Sequence, residues 1–330
     1  VKHGYVGWWD LASLPKLNFN STSLRKVMYE GKNSIVKKWL SPKYGMSGWR
    51  IDVGNMTGRL GEDDLHDEVM RGIRTAMDEV KPDAWLVAEN GDFVASDLNG
   101  FGWHGAMNYQ GFMRPVWNWI NQNSSIGGGF QGLPFEMPKI GGKSLVASMV
   151  QFSSSIPWRS LVASMVLLDS HDTARMRTVV NGDKKAHLSA MTAMLTYPGV
   201  PSIFAGDEIG LEGSWGEDSR RTINWEDRSG WDHDFLAEAK KLIELRRTQD
   251  GLIEGGLRWV AVEDNFICYL RESEKQSVLV FISRKAVRTE IDLADYGYKV
   301  SKTLYGPEAT GGSIKIDADG ATQGIWEVKS

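Results

Sequence analysis

Three apolar runs in this chain lead into acidic residues. GWRID (48–52) ends on Asp52, AWLVAEN (84–90) carries Glu89 next to its end, and MVLLDS (165–170) runs into His171-Asp172. A fourth, VPSIFAG (200–206), precedes Asp207-Glu208. Carboxylates at the ends of successive parallel strands share the face on which α/β folds build their sites. Two of them about 5 Å apart suit double displacement at a glycosidic carbon: one attacks, the other protonates the leaving oxygen and then activates water. Arg50, two residues before Asp52, would keep a nucleophile ionised, because an opposite charge lowers a carboxylate pKa. The acid must instead hold its proton, which a crowded anionic site favours. Each residue alone has an ordinary alternative: a turn cap, a pair with Arg50, a loop acid. Unrelated capping, however, does not place acids on successive strand ends.

The elements that must position these residues are visible as alternating patterns. Helical spacing runs through 23–40, 64–80, 111–120, 184–195 and 233–249, with a weaker candidate at 144–155. The stretch 64–80 has acidic residues in its first turn and Pro82 beyond its end; Pro115 fits only the first turn of 111–120. Short strands are expected at 48–52, 84–90, 104–109, 165–170 and 200–206. Strand–helix alternation implies a parallel sheet with helical crossovers, an α/β fold. After Gly255-Gly256 the period changes to two. LRWVAV, NFICYL, SVLVFIS, SKTLYG, SIKIDA and GIWEVK read as six strands of a small antiparallel domain, giving domains at 1–256 and 257–330. GGG at 127–129 reads as part of a long loop.

Composition narrows the function classes. The 330 residues are 42% hydrophobic and 24% charged, enough to build one large domain and a small one. A net charge of −4 with no basic stripe argues against nucleic acid or anionic membrane as partner. No run approaches the ~18 apolar residues of a membrane span. The single cysteine, Cys268, lies in an apolar run and reads as core, which fits a cytoplasmic protein. Fourteen tryptophans are many; aromatic faces stack well on sugar rings, so Trp8 and Trp9 are read as core residues with a sugar platform as the alternative.

GWRIDVGN, LVAEN and LLDSHDTAR resemble three signature blocks of the α-amylase superfamily of glycoside hydrolases, and YPGVPSIFAGDEIG resembles its eighth barrel strand. SLPKLN, GAMNYQGF and WGEDSRRTINW are similar to the neopullulanase, cyclomaltodextrinase and maltogenic-amylase branch. The resemblance covers nearly the whole chain. It implies a partial (β/α)8 TIM barrel, about strands four to eight, followed by an all-β C-terminal sandwich. It implies retaining cleavage of α-1,4-glucosidic bonds in maltooligosaccharides or related α-glucans. A transglycosylase, a trehalose-synthase-like isomerase and a fragment that only binds glycans are the alternatives.

Carried over by position, Asp52 resembles the nucleophile, Glu89 the general acid/base and Asp172 the third carboxylate. Arg50 would orient Asp52, both facing the barrel interior by alternation with Trp49, Ile51 and Val53. His171 would bond sugar hydroxyls. Arg220 resembles a sugar-binding position, Arg175 a support of the carboxylates, and Trp103, Asn108 and Tyr109 line the cleft. Asp207-Glu208 would buttress the barrel mouth. Met56 stands where the branch often carries Glu, and Ser170 where the family often carries Asn. No Cys/His metal spacing or phosphate loop is present, and no cofactor is required. Calcium is frequent in the superfamily, but no site for it is identifiable. The family's first three strands have no counterpart, so the chain is expected to be a carboxyl-terminal portion. Oligomeric state is left open.

Overall fold

The parallel pairing expected of alternating strands and helices is present in the computed structural model, which describes residues 4–91, 93–123, 126 and 136–330. GGG at 127–129 lies outside the described residues. The chain forms two compact units, Val1–Asn108 with Ser153–Met165, and Tyr109–Phe152 with Val166–Ser330.

In the first unit, β1 (Gly48–Ile51) is followed by a small hairpin, β2 (Arg59–Leu60) and β3 (Asp63–Asp64). The helix His66–Asp78 then crosses over to β4 (Trp85–Ala88), which lies parallel to β1 on one side and to β5 (Gly105–Ala106) on the other. That helix forms where its apolar spacing demands. His66, Val69, Met70, Ile73, Ala76 and Met77 make one buried stripe, and Asp67 and Glu68 sit in the first turn, where the helix dipole favours them. The expected helix 23–40 is broken. Thr22–Arg25 runs into a π turn, Lys26–Glu30, and a new helix, Ile35–Leu40, starts from Ser34, whose hydroxyl accepts the Lys37 N–H. Gly31 and the Ser34 cap outweigh the continuous apolar spacing. Trp8 and Trp9 stack on each other at 4.8 Å, but Trp9 is 67% exposed, so it is no core residue.

In the second unit, β6 (Met165–Leu167) and β7 (Val200–Ser202) form a two-stranded sheet. Between them, Lys184–Thr196 starts from Asp183, whose carboxylate accepts the Ala186 N–H. Pro115 lies in the first turn of Arg114–Ile120. Seven strands follow: β8 (Gly256–Glu263), β9 (Phe266–Glu272), β10 (Ser277–Ser283), β11 (Val287–Asp292), β12 (Lys299–Tyr305), β13 (Ser313–Ala318) and β14 (Gln323–Lys329). They make a five-stranded sheet ordered β12-β14-β10-β9-β8 and a two-stranded sheet of β11 and β13. The two sheets close on one core of Cys268, Leu270, Leu279, Phe281, Ile291, Ile314, Ile316 and Trp326.

Strand β11 was not among the six expected strands. VRTEID alternates correctly, but its charged residues mask the pattern; Ile291 is its buried anchor. Strands β9 and β10 are buried on both faces, which is why they read as unbroken apolar runs. The second face of this sheet meets Lys184–Thr196: on β9 the Tyr269 hydroxyl lies 2.5 Å from that of Thr196 and Arg271 donates to the Thr196 carbonyl, and Ser189 donates to Gln323 of β14 at 3.1 Å. The helix is therefore buried nearly all round.

Trp326 is fully buried in the sandwich, and its indole N–H donates to the Pro307 carbonyl at 2.9 Å. Trp326→Ala is expected to cost about 3–5 kcal/mol. Guanidinium unfolding followed by circular dichroism measures it; a loss under about 1 kcal/mol, within the range of exposed substitutions, would show that the two sheets do not share this core.

Candidate active site

The register of β1 on β4 pairs Ile51 with Ala88. The next residue on each chain is an acid, so Asp52 and Glu89 leave neighbouring strand ends together. The strand stops at Ile51, one residue earlier than expected, and Asp52 lies in the following turn. Arg50 reaches both acids: Nη1 pairs with Asp52, and Nη2 lies 2.9 Å from Glu89 Oε2. Asp52 is open to solvent, its side chain 73% exposed, while that of Glu89 is 10% exposed. One acid is therefore accessible and the other enclosed, on the same guanidinium.

Expected alternation fails at Val53. It adopts φ +43°, a left-handed conformation that a β-branched residue takes only under constraint. The turn aims the Val53 N–H at Glu89 Oε2, 2.9 Å away. Gly54 N–H then donates to the Glu89 carbonyl at 2.7 Å. A Cβ on Gly54 would fall 2.6 Å from that of Ala88, so only glycine allows this approach. No sequence signal points to Val53, because its contribution is a backbone donor.

Behind Glu89, the Asn90 amide donates to Asp97 at 3.3 Å, and Asp97 also lies 3.3 Å from His66 Nε2. His66 Nδ1 is 2.8 Å from the Thr57 carbonyl. The bond to Asp97 raises the His66 pKa against the opposing effect of burial. His66 and Asp97 thus tie the loop after β1 to the loop after β4. Sequence reading missed both, since their partners lie across the fold.

The second unit holds a different cluster. Arg220 Nη2 lies 2.9 Å from Asp172 Oδ1, and its Nε donates to the His171 carbonyl at 2.8 Å. His171 Nε2 is 3.4 Å from Asp172 Oδ2. The His171 and Arg220 side chains are roughly half exposed, while that of Asp172 is largely enclosed between them. The loop beneath is held by Ser170. Its hydroxyl accepts the Asp172 N–H at 3.2 Å and the Tyr109 hydroxyl proton at 3.0 Å, and its own N–H donates to Thr173 Oγ1. The residue that departs from the family's Asn therefore has a positioning task.

Several expected contacts are placed differently. Arg175 is 1% exposed and is spent internally on Asp207, Ser219 and Ala205, so it supports the site without reaching a substrate. Trp103, 1% exposed, packs edge-on to His66 in the core and presents no ring face to a cleft. Asn108 and Tyr109 are also buried. Asp207 is buried on Arg175, and Glu208 accepts the Gly206 N–H, both structural tasks. Among the described residues no three His, Cys, Asp or Glu converge as a metal cradle requires. No helix among them is long and apolar enough to cross a membrane.

The chain is similar to several known proteins. The chain is 31% identical over 279 residues to an amylopullulanase of Thermoanaerobacter thermohydrosulfuricus, covering 77% of this chain and 18% of that protein. It is 29% identical over 274 residues to a cyclomaltodextrinase of a Bacillus species, covering 82% and 43%. The chain thus spans less than half of these curated relatives. The debranching enzyme of Nostoc punctiforme superposes with a TM-score of 0.82 at 24% identity, over 98% of this chain and 65% of that one, a likeness of fold. The alpha-amylase catalytic domain matches residues 3–241. The chain belongs to the alpha-amylase family.

Proposed function

We propose that this chain takes part in retaining hydrolysis of α-1,4-glucosidic bonds in maltooligosaccharides or related α-glucans. The supporting observation is Arg50 shared between Asp52 and Glu89. Two carboxylates on one guanidinium are close neighbours, as expected of the roughly 5 Å separation in retaining enzymes. Asp52, the accessible acid, attacks the anomeric carbon. Glu89, the enclosed one, protonates the leaving oxygen and then takes a proton from water. Its Oε2 accepts the Val53 N–H and lies 2.9 Å from Arg50 Nη2. Asp172, with His171 and Arg220, engages sugar hydroxyls. Within this reading the strands from β1 to β7, the small hairpin apart, correspond to barrel strands four to eight, with the domain boundary at 256/257. The buried Cys268 accords with action in the cytoplasm.

Asp52→Ala is expected to lower turnover by on the order of 10⁴- to 10⁶-fold while maltooligosaccharide still binds. Azide should then restore turnover of an activated α-glycosyl substrate and yield a β-glycosyl azide. Near-wild-type turnover on maltotriose would remove Asp52 from the nucleophile's role.

Glu89→Gln is expected to slow cleavage of maltotriose by about 10²- to 10⁴-fold, the span of general acid catalysis. A glycosyl fluoride needs little protonation of its leaving group, so its glycosylation step should be much less affected. Single-turnover kinetics on both substrates test this; equal losses would assign the acid elsewhere.

A further inference from the structure

Asp169 directly precedes the Ser170–Asp172 loop. It and Asp207 are each 3% exposed, and both belong to one buried cluster with Arg175. Arg175 Nη1 donates to Asp207 Oδ1 at 2.7 Å, Nε to the Ser219 carbonyl at 2.9 Å, and Nη2 to the Ala205 carbonyl at 3.0 Å. Gly206, at φ +109°, leaves room for this: a Cβ there would fall 3.2 Å from Arg175 Nη1 and 2.4 Å from Leu211 Cδ1. Asp169 Oδ2 accepts the Met176 N–H at 2.6 Å. Asp169 Oδ1 is buried and receives no hydrogen bond from a donor group. The two carboxyl groups lie within hydrogen-bonding contact of each other.

Two ionised carboxylates would need two cations beside them, and here one guanidinium faces both. The adjacent Glu208 is turned to the Gly206 N–H. A buried, uncompensated charge is expensive. A carboxylic acid, by contrast, gains a donor when neutral. We propose that the buried Asp169–Asp207 pair holds one proton at neutral pH beside the Arg175 guanidinium, and that this proton positions the loop from which His171 and Asp172 project. One proton and one guanidinium together balance the two carboxyl groups, and the proton belongs to the pair. Burial, foremost, raises the Asp169 pKa; burial and then the charge of its neighbour raise that of Asp207. Asp169 is a positioning residue, and the inference concerns the loop whether or not the proposed reaction is correct.

Infrared spectroscopy at pH 7 tests the proton directly: a buried carboxylic-acid C=O band is expected in the wild-type chain and is absent from Asp169→Asn. Stability gives a second reading. The native pKa of Asp169 is raised, so above its ordinary value of 3.8 the unfolded chain loses this proton while the native one keeps it. The folded-to-unfolded ratio should therefore fall about tenfold per pH unit relative to Asp169→Asn, until the native group titrates. Positioning is read by hydrogen exchange at the Asp172 amide, which Asp169→Asn should preserve and Asp169→Ala should speed at least tenfold. No acid band at pH 7, a pH-independent stability ratio, or equal exchange in the two variants would overturn the proposal.

Discussion

Parallel pairing of β1 with β4 is the constraint on which the cluster of Asp52, Glu89 and Arg50 depends. Register alone makes Asp52 and Glu89 neighbours, because Ile51 is paired with Ala88 and each acid follows directly. Two acids brought together in this way repel unless a cation is shared. Arg50 supplies that cation from within the same strand, so no distant element has to deliver it. The Val53 turn adds a backbone donor at the cost of a left-handed valine, and the His66–Asp97 pair fastens the two loops from behind. Strain at Val53 is tolerable because the surrounding bonds over-determine it.

The second unit is organised differently, by buried or half-buried arginines whose partners are largely backbone carbonyls. Arg175 joins the ends of three segments, at Ala205, Asp207 and Ser219. Arg271 does the same for Gly255, Gly256 and Thr196, and burial together with Arg246 brings its pKa down to about 10. Arg284 donates to the carbonyls of Trp119 and Ile140. A guanidinium has five donors in a fixed plane, so one side chain can satisfy several element ends. Removing its partners would leave a desolvated charge, which makes each such junction specific as well as stabilising.

Legibility followed locality. The helices His66–Asp78 and His233–Thr248 were readable to within about two residues, because apolar spacing and an acidic first turn act within one segment. The acids Asp52, Glu89 and Asp172 were readable because strand ends are marked by the change from apolar to polar. Strand β11 was hidden by its charges, and the helix expected over 23–40 broke at a glycine and a serine cap. Trp103 was placed in the cleft by sequence and in the interior by the fold, since type and position along the chain do not state which way a side chain turns.

The amino-acid sequence by itself therefore determined the α/β alternation, the antiparallel C-terminal strands and the placing of Asp52 and Glu89 directly after their strands with Arg50 beside them, because each is written in local periodicity or in adjacent residues. Only the tertiary structure decided that Arg50 holds Glu89 as well as Asp52, that Arg220 pairs with Asp172, and that Asp169 meets Asp207. The physical reason is range. These contacts join residues 30 or more positions apart through register and burial, and whether a charge is paired, exposed or protonated depends on neighbours that no local pattern names.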